Sequence, residues 1–417
     1  MKTPPPKAKG HFKTSDLRGM AQLATQATRG VTGISEGVHQ SVWGSMGVPG
    51  GKSAGRTRGL TGLVYQCVHS VNAWVGKGLD TALGKLEPLL TSADQCPKES
   101  PQRLAVIAAL NGVLGDHLAD TRNPLALPMT LRMGNEALDR KAMPEAEKVS
   151  AKVLIVIHGL CMNDQQWQPP QGDVESPREF SDHAAALASQ RGYTPVYVRY
   201  NTGLHTSQNG ALLARALEQL ISHWPVAIED LSILAHSMGG LVSRSAHAYA
   251  LTHNMHWPQA LKHLVFLGTP HHGAPLERAG NWVDVILGST PYSRPFAKLS
   301  QLRSAGITDL RFGHVLDTDW QGHDRFRRKP DARTHLPLPE GAACFSIAAT
   351  LAAPRSLLAE RLVGDGLVPL RSALGQHDDT SRTLAFSKSA QHTIYRMNHM
   401  DLLHSPLVTE QLLKWIH

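Results

Sequence analysis

Hydrophobic positions along the chain change their spacing near residue 125. Before that point apolar residues recur at helical intervals over residues 16–38, 63–90 and 103–118, and Gly30 and its neighbouring glycines weaken the first of these runs. The pair Asn123-Pro124 then marks a turn. The pattern predicts a helical extension over residues 1–124.

From residue 125 onward short apolar runs alternate with helical ones. A hairpin is predicted around residues 129–133 and 148–150, and the run 153–157 is too apolar for an edge strand. Further strands are predicted at 195–200, 231–235, 263–267, 344–349 and 383–386, with helices at 178–190, 210–223 and 240–251. This alternation predicts a mostly parallel, doubly wound α/β sheet over residues 125–417.

One strand and the helix after it are joined by the sequence AHSMG, residues 235–239. A nucleophile elbow holds its serine in a strained turn, so small residues must lie two positions before and two positions after it. Ala235 and Gly239 satisfy this requirement around Ser237, although Ala235 replaces the usual glycine. A helix-capping serine is the alternative, but the apolar strand before Ser237 and the helix after it favour a nucleophile.

Acyl transfer by a serine also needs hydrogen-bond donors for the oxyanion that develops on the substrate. The residue after the nucleophile supplies one backbone N–H, here that of Met238, and a loop after an earlier strand supplies the other. The sequence IHGL at residues 157–160 ends the first core strand, so we expect the N–H of Leu160 to be the second donor. His158 and His236 are interpreted as structural histidines.

The acid of a triad follows a later strand in the chain order serine, acid, histidine. Asp365 lies in the sequence GDGLVP, residues 364–369, after the strand predicted at 344–349, and the two glycines permit a tight turn. Three competing carboxylates precede that strand, namely Asp309, Asp317 and Asp319. We therefore predict Asp365 as the acid.

The base is expected after the last strand. His399 lies in the sequence NHMD, after the strand predicted from Thr383 and before the final helix. His392 falls in a strand-like run and His404 within the expected last helix, so His399 is the preferred base. In this scheme His399 takes the proton of Ser237 and Asp365 orients the imidazole.

Five motifs in this order, IHGL, AHSMGGLV, GTPHHG, GDGLVP and NHMD, resemble the α/β-hydrolase lipases and esterases, most closely the GPI inositol-deacylase-like and bacterial triacylglycerol-lipase branches. The resemblance spans residues 150–417. It implies hydrolysis of an apolar or lipid carboxyl ester through a seryl acyl-enzyme, without an organic cofactor. It also implies that residues 274–341 are a lid insertion, with a disordered insertion as the alternative.

Some bacterial lipases of this type hold calcium near the catalytic histidine, and Asp401 corresponds to one ligand. We prefer Asp401 as the N-cap of the last helix and expect no metal. Two other functions stay open: an acyltransferase or thioesterase on the same triad, and a membrane-surface binding protein with a vestigial site.

Composition adds a charge asymmetry to this picture. Of the net charge of +8, residues 1–60 carry +7, from nine basic and two acidic residues. A solvated tail is the preferred interpretation of this arm, and peripheral contact with an anionic membrane is the alternative. We expect no nucleic-acid binding, because no aromatic residues are interleaved with the charge.

Location is inferred from what the sequence lacks. The chain begins without the apolar stretch of a signal peptide, and no window is apolar enough to span a membrane. Its four scattered cysteines favour reduced thiols: Cys67, Cys96, Cys161 and Cys344. These features predict a cytoplasmic protein.

Overall fold

A computed structural model describes residues 15–16, 18–23, 101–134, 136–139, 143–168, 181–274, 304–322, 333–354 and 364–417. The helical run predicted at 63–90, most of the basic arm and much of the predicted lid lie outside these residues. In the ranges given, no helix is long and apolar enough to cross a membrane.

The chain divides into two compact units, residues 1–103 with 118–126 and residues 104–117 with 127–417. In the first unit, residues 15–16 and 18–23 are helical, and the buried Asp16 carboxylate forms an ion pair with Arg103 at 2.6 Å. Asn123 Nδ2 donates a hydrogen bond to the carbonyl of Gly19. The division of the chain at residue 124 stays a prediction.

The second unit is built on a sheet whose described strands are β1 Thr130–Met133, β2 Glu136–Ala137, β3 Lys152–Ile157, β4 Thr194–Arg199, β5 Asp230–His236, β6 Leu261–Leu267, β7 Ala343–Thr350 and β8 Gln391–Tyr395. Their order across the sheet is β2-β1-β4-β3-β5-β6-β7-β8. Pairing is antiparallel between β1 and its two neighbours and parallel from β4 to β8. The predicted mostly parallel sheet with helices on its faces is confirmed.

The described helices are α1 Pro101–Asp120, α2 His183–Arg191, α3 Thr206–His223, α4 Met238–Thr252, α5 Trp257–Ala260, α6 Ala305–Phe312, α7 Leu370–Ala373 and α8 Pro406–Trp415. Successive residues of β3 point to opposite faces. Val153, Ile155 and Ile157 join an apolar cluster with α3 and α4, while Leu154 and Val156 join a second cluster with α2 and α8. The sheet is therefore covered by helices on both faces.

One predicted strand and one predicted hairpin are wrong. Residues 383–386 form no strand, because β7 is already paired with β6 on one side and with β8 on the other. The strand β8 has a half-polar sequence, as an edge strand may carry one solvated face. The hairpin partner of β1 is β2 rather than residues 148–150, since Gly134 adopts a φ of +55° and the chain turns back at once.

Candidate active site

Ser237 lies at the junction of β5 and α4 with a strained backbone. Its φ and ψ are 54° and −121°, a conformation that non-glycine residues rarely adopt. The Ser237 N–H donates a hydrogen bond of 2.8 Å to the carbonyl of Leu267, the last residue of the neighbouring β6. The side chain is 1% exposed. The sheet thus fixes the elbow that the sequence predicts.

Glycines allow the loop after β3 to approach this elbow. A Cβ atom on Gly239 would lie 2.8 Å from the carbonyl oxygens of both Ile157 and His158. A Cβ atom on Gly159 would lie 3.0 Å from the Cβ of Ser237. The loop that carries the predicted donor Leu160 therefore contacts the turn at Ser237 directly.

The two predicted oxyanion donors are both buried beside Ser237. Leu160 is 1% exposed and Met238 is fully buried. Met238 is the first residue of α4, and N–H groups in a first helical turn lack an acceptor within the helix. The next loop residue, Cys161, has a φ of 59° and donates its N–H to Thr202 Oγ1 at 3.1 Å, which fixes the loop after Leu160.

Asp365 and His399 are in direct contact. His399 Nδ1 lies 2.6 Å from Asp365 Oδ2, and the two side chains are 2% and 0% exposed. The other carboxylate oxygen accepts the N–H groups of Leu367 at 3.0 Å and Val368 at 2.8 Å. Gly366 has a φ of +96°, so the tight turn requires glycine at that position.

His399 also lies next to the elbow. Its ring centroid is 4.6 Å from that of His236, the residue before Ser237, and His236 Nε2 lies 3.2 Å from the His399 carbonyl oxygen. A Cβ atom on Gly268, just after β6, would lie 3.0 Å from the His399 ring. Ser237, Asp365 and His399 therefore gather outside the carboxyl ends of adjacent parallel strands, where α/β folds place ligands.

The hydroxyl of Ser237 forms no hydrogen bond with His399. Ser237 Oγ has no hydrogen-bond partner among the residues that the structure describes. Catalytic hydrogen bonds are often long in enzymes without substrate and shorten in the complex. The arrangement brings His399 and Ser237 into one buried cluster without a hydrogen bond to the Ser237 hydroxyl.

Two further histidines at the site are neutral near neutral pH. Burial lowers the pKa of His158 to about 4, and its Nδ1 lies 2.9 Å from the carbonyl of Gly159 while its ring stacks on Tyr200. Burial also holds the pKa of His236 well below its usual range, with the nearby His399 as a second cause. His236 supports the backbone of His399, a role that only its position next to the nucleophile could have suggested.

The rival residues lie elsewhere. His392 is in β8, and His404 lies just before α8, where its carbonyl accepts the N–H of Ser181. The buried Asp309 contacts His205 at 3.1 Å and His314 at 3.3 Å. Asp317 begins a short 3-10 turn that ends at Asp319, whose carboxylate binds backbone N–H groups.

Asp401 does not cap the last helix, so that prediction is wrong. The N-cap of α8 is Ser405, and Asp401 lies in the 3-10 turn Met400–Leu403, where its Oδ2 accepts the N–H of Asn398 at 3.3 Å. The turn after His399 separates Asp401 from the helix. In the described ranges, no group of three or more His, Cys, Asp or Glu side chains could hold a metal ion.

Comparison with known proteins agrees with this fold. Residues 148–335, less than half of the chain, match the family model described as PGAP1-like alpha/beta domain. The match confirms the predicted family resemblance for a segment that includes Ser237 but neither Asp365 nor His399. No curated protein sequence matches the chain.

Solved structures with a similar arrangement include lipases and esterases. Bacillus licheniformis lipase BlEst2 in its mature form is 17% identical over 66% of this chain and 95% of its own, with a TM-score of 0.41. Aspergillus fumigatus lipase B is 12% identical over 65% and 54%, with a TM-score of 0.37. The Pyrococcus furiosus esterase Pf2001 is 14% identical over 64% and 82%, with a TM-score of 0.35.

Proposed function

We propose that this protein is a serine hydrolase of carboxyl esters, with Ser237 as nucleophile, His399 as base and Asp365 as the acid that orients the base. The observation that carries the proposal is the buried 2.6 Å contact between His399 Nδ1 and Asp365 Oδ2 beside a strained serine. Nucleophile, orienting acid and base in this chain order are typical of α/β hydrolases.

The proposed reaction has two steps. Ser237 Oγ attacks the ester carbonyl while His399 Nε2 takes its proton, and the N–H groups of Leu160 and Met238 donate to the oxyanion. The intermediate collapses, the alcohol leaves with the proton from His399, and an acyl-serine remains. Water, deprotonated by His399, then releases the carboxylic acid. Asp365 stabilises the imidazolium.

The substrate class follows from the surroundings of the serine. Ser237, Leu160 and Met238 are buried among apolar residues of the larger core cluster. An apolar or lipid ester would desolvate at little cost there, whereas a charged acyl group would lose its hydration. The family resemblance also favours a lipid ester. A series of p-nitrophenyl esters from acetate to laurate would measure the preferred chain length.

The deciding experiment compares two buried serines of the same region. Ser237→Ala should abolish hydrolysis of a p-nitrophenyl ester and labelling by a fluorophosphonate. Ser245→Ala removes a hydroxyl from the buried face of α4 and should retain most of the activity. Full activity in Ser237→Ala, with both proteins folded by circular dichroism, would overturn the proposal.

The acyl acceptor is tested separately. An acyl-enzyme can pass its acyl group to water, to an alcohol or to a thiol. Mass spectrometry of the products formed with and without added alcohol would distinguish them. Free acid as the main product in both cases supports a hydrolase, whereas a dominant new ester identifies an acyltransferase.

A further inference from the structure

A second concave site of the same unit carries a concentration of basic side chains. It is a small pocket between α4, the loop after β6, the segment after α6 and the segment before β7. The lining includes Arg244, His271, His272, Arg333, His335 and Arg382. None of the described residues that line it is Asp or Glu.

Arg244 lies on α4, seven residues after Ser237. At a helical rise of about 1.5 Å per residue this separation is about 10 Å along the axis, so the pocket is distinct from the nucleophile. The side chain is buried, with 4% of the residue exposed, and donates one hydrogen bond to the carbonyl of Leu336. Its Nε is buried without a partner among the described residues.

A buried guanidinium in this state is costly. A charge removed from water needs a counter-charge or a full set of hydrogen bonds. The carboxylate that acts on Arg244 is Asp319, whose Oδ2 accepts the N–H groups of Val315 and Leu316 and whose Oδ1 accepts that of Thr334. Both of its oxygens therefore bind backbone donors. An oxyanion in the pocket would supply the acceptors that Arg244 lacks.

His271 supplies a second unpartnered group in the same lining. It is 1% exposed, and neither ring nitrogen has a hydrogen-bond partner in the described part of the chain. Its ring lies between Phe266 and Phe386, with centroids 4.7 Å and 5.6 Å away. Buried polar groups are satisfied in most proteins, and the exceptions call for an explanation such as a bound ion.

The charges of the pocket act together on its histidines. Burial is the main cause that lowers the pKa values of His271, His272 and His335, and Arg244 lowers all three further. Burial also raises the pKa of the Cys344 thiol to about 12, although the nearby charge of Arg244 acts to lower it. This thiol therefore stays neutral. The pocket therefore has a positive potential at neutral pH.

We propose that this pocket binds one phosphate group, either inorganic phosphate or the phosphate of a phosphomonoester, with Arg244, Arg333 and His271 as donors. A phosphate offers several acceptor oxygens and up to two negative charges, which suits guanidinium groups better than the two oxygens and single charge of a carboxylate. The proposal does not depend on the triad, because Ser237 does not line the pocket.

Calorimetric titration of inorganic phosphate into the full-length protein at low ionic strength tests the site, with sodium chloride as the blank. We expect saturable binding of one phosphate per chain. Arg333→Gln and Arg382→Gln change half-buried residues at the lining. Arg333→Gln removes a proposed donor and should weaken binding by about tenfold, the effect of one hydrogen bond to a charged group, whereas Arg382→Gln removes only a lining charge and should weaken binding less. Arg215→Gln removes the same charge from an exposed position on α3 and should bind as the unmodified protein does.

Arg244→Met supplies a second measurement. Phosphate should raise the melting temperature of the unmodified protein and of Ser237→Ala, but not that of folded Arg244→Met. If Arg244→Met does not fold, the two half-buried arginines carry the test. Glycerol 3-phosphate in place of phosphate identifies the source: tighter binding of either compound supports the site and assigns its ligand. The proposal is overturned if neither compound binds saturably, or if Arg215→Gln weakens binding as much as Arg333→Gln does.

Discussion

Asp365 Oδ2 and His399 Nδ1 lie 2.6 Å apart in a buried environment, although 34 positions separate the two residues in the sequence. A carboxylate accepts only, so the imidazole donates its Nδ1 proton in this contact and Nε2 is left as the basic nitrogen. That tautomer is the one a general base needs.

Asp365→Asn should therefore lower kcat strongly. An amide in place of the carboxylate favours the wrong imidazole tautomer and no longer stabilises the imidazolium. The loss in kcat should reach about 10⁴-fold, because the imidazole is then held in the wrong tautomer. Steady-state hydrolysis of a p-nitrophenyl ester measures it. Asp378→Asn, at an exposed residue paired with Arg371, is the control, and equal activity in the two variants would contradict the proposed role of Asp365.

Substitutions at Gly239 and Ala235 should have opposite effects on stability and activity. Gly239→Ala places a Cβ atom 2.8 Å from two backbone oxygens, a contact that requires the loop after β3 to move. We expect a loss of about 1–3 kcal/mol in the free energy of unfolding and reduced activity. Ala235→Gly restores the usual elbow pattern and should keep the activity. Urea denaturation and ester hydrolysis measure both variants, and a fully active, equally stable Gly239→Ala would refute the close approach.

His236 should act as a positioning residue for His399. Its Nε2 lies 3.2 Å from the His399 carbonyl, and His236→Phe leaves that buried carbonyl without this donor. The free energy of unfolding should fall by about 1–3 kcal/mol, and kcat should fall more than KM changes, because the substrate does not touch this group. His236→Gln retains an amide donor and should recover part of kcat. Unchanged kcat and stability in His236→Phe would exclude the role.

The protein should lose stability in mild acid. Burial lowers the pKa values of His158 and His183 from 6.5 to about 4 in the folded state. The unfolded chain then binds more protons than the folded one between these values, so stability is full above pH 6.5 and falls as the pH drops toward 4. Each histidine contributes a slope of about 1.4 kcal/mol per pH unit in that window.

Urea denaturation at a series of pH values measures this slope. His183 contacts Thr409 and the carbonyl of Leu402. His183→Gln should flatten the profile, whereas His223→Gln, at a half-buried residue at the end of α3, should not. A profile of His183→Gln as steep as that of the unmodified protein would show that His183 does not cause the acid sensitivity.

Much of the candidate site was accessible from local sequence. Small residues around Ser237 specify the elbow because the turn leaves no room for larger ones, and the glycines near Asp365 specify the turn that presents the carboxylate. The apolar runs of β3 and β5 are readable because both faces of these strands are buried. The edge strand β8 was not predicted as a core strand, because its sequence is half polar and only one residue of it is buried. The sequence showed only a strand-like run around His392.

The candidate serine, acid and histidine could thus be found from the sequence alone, because the residues next to each of them mark its turn. The strands of the buried sheet could be found in the same way from the spacing of their apolar residues. Only the tertiary structure decided which groups meet: His236 with the carbonyl of His399, and Arg244 with His271 around one pocket. These contacts join distant parts of the chain through the packing of the sheet and its helices. The sequence alone does not show that the guanidinium of Arg244 is buried, because an arginine on a helix is usually solvated.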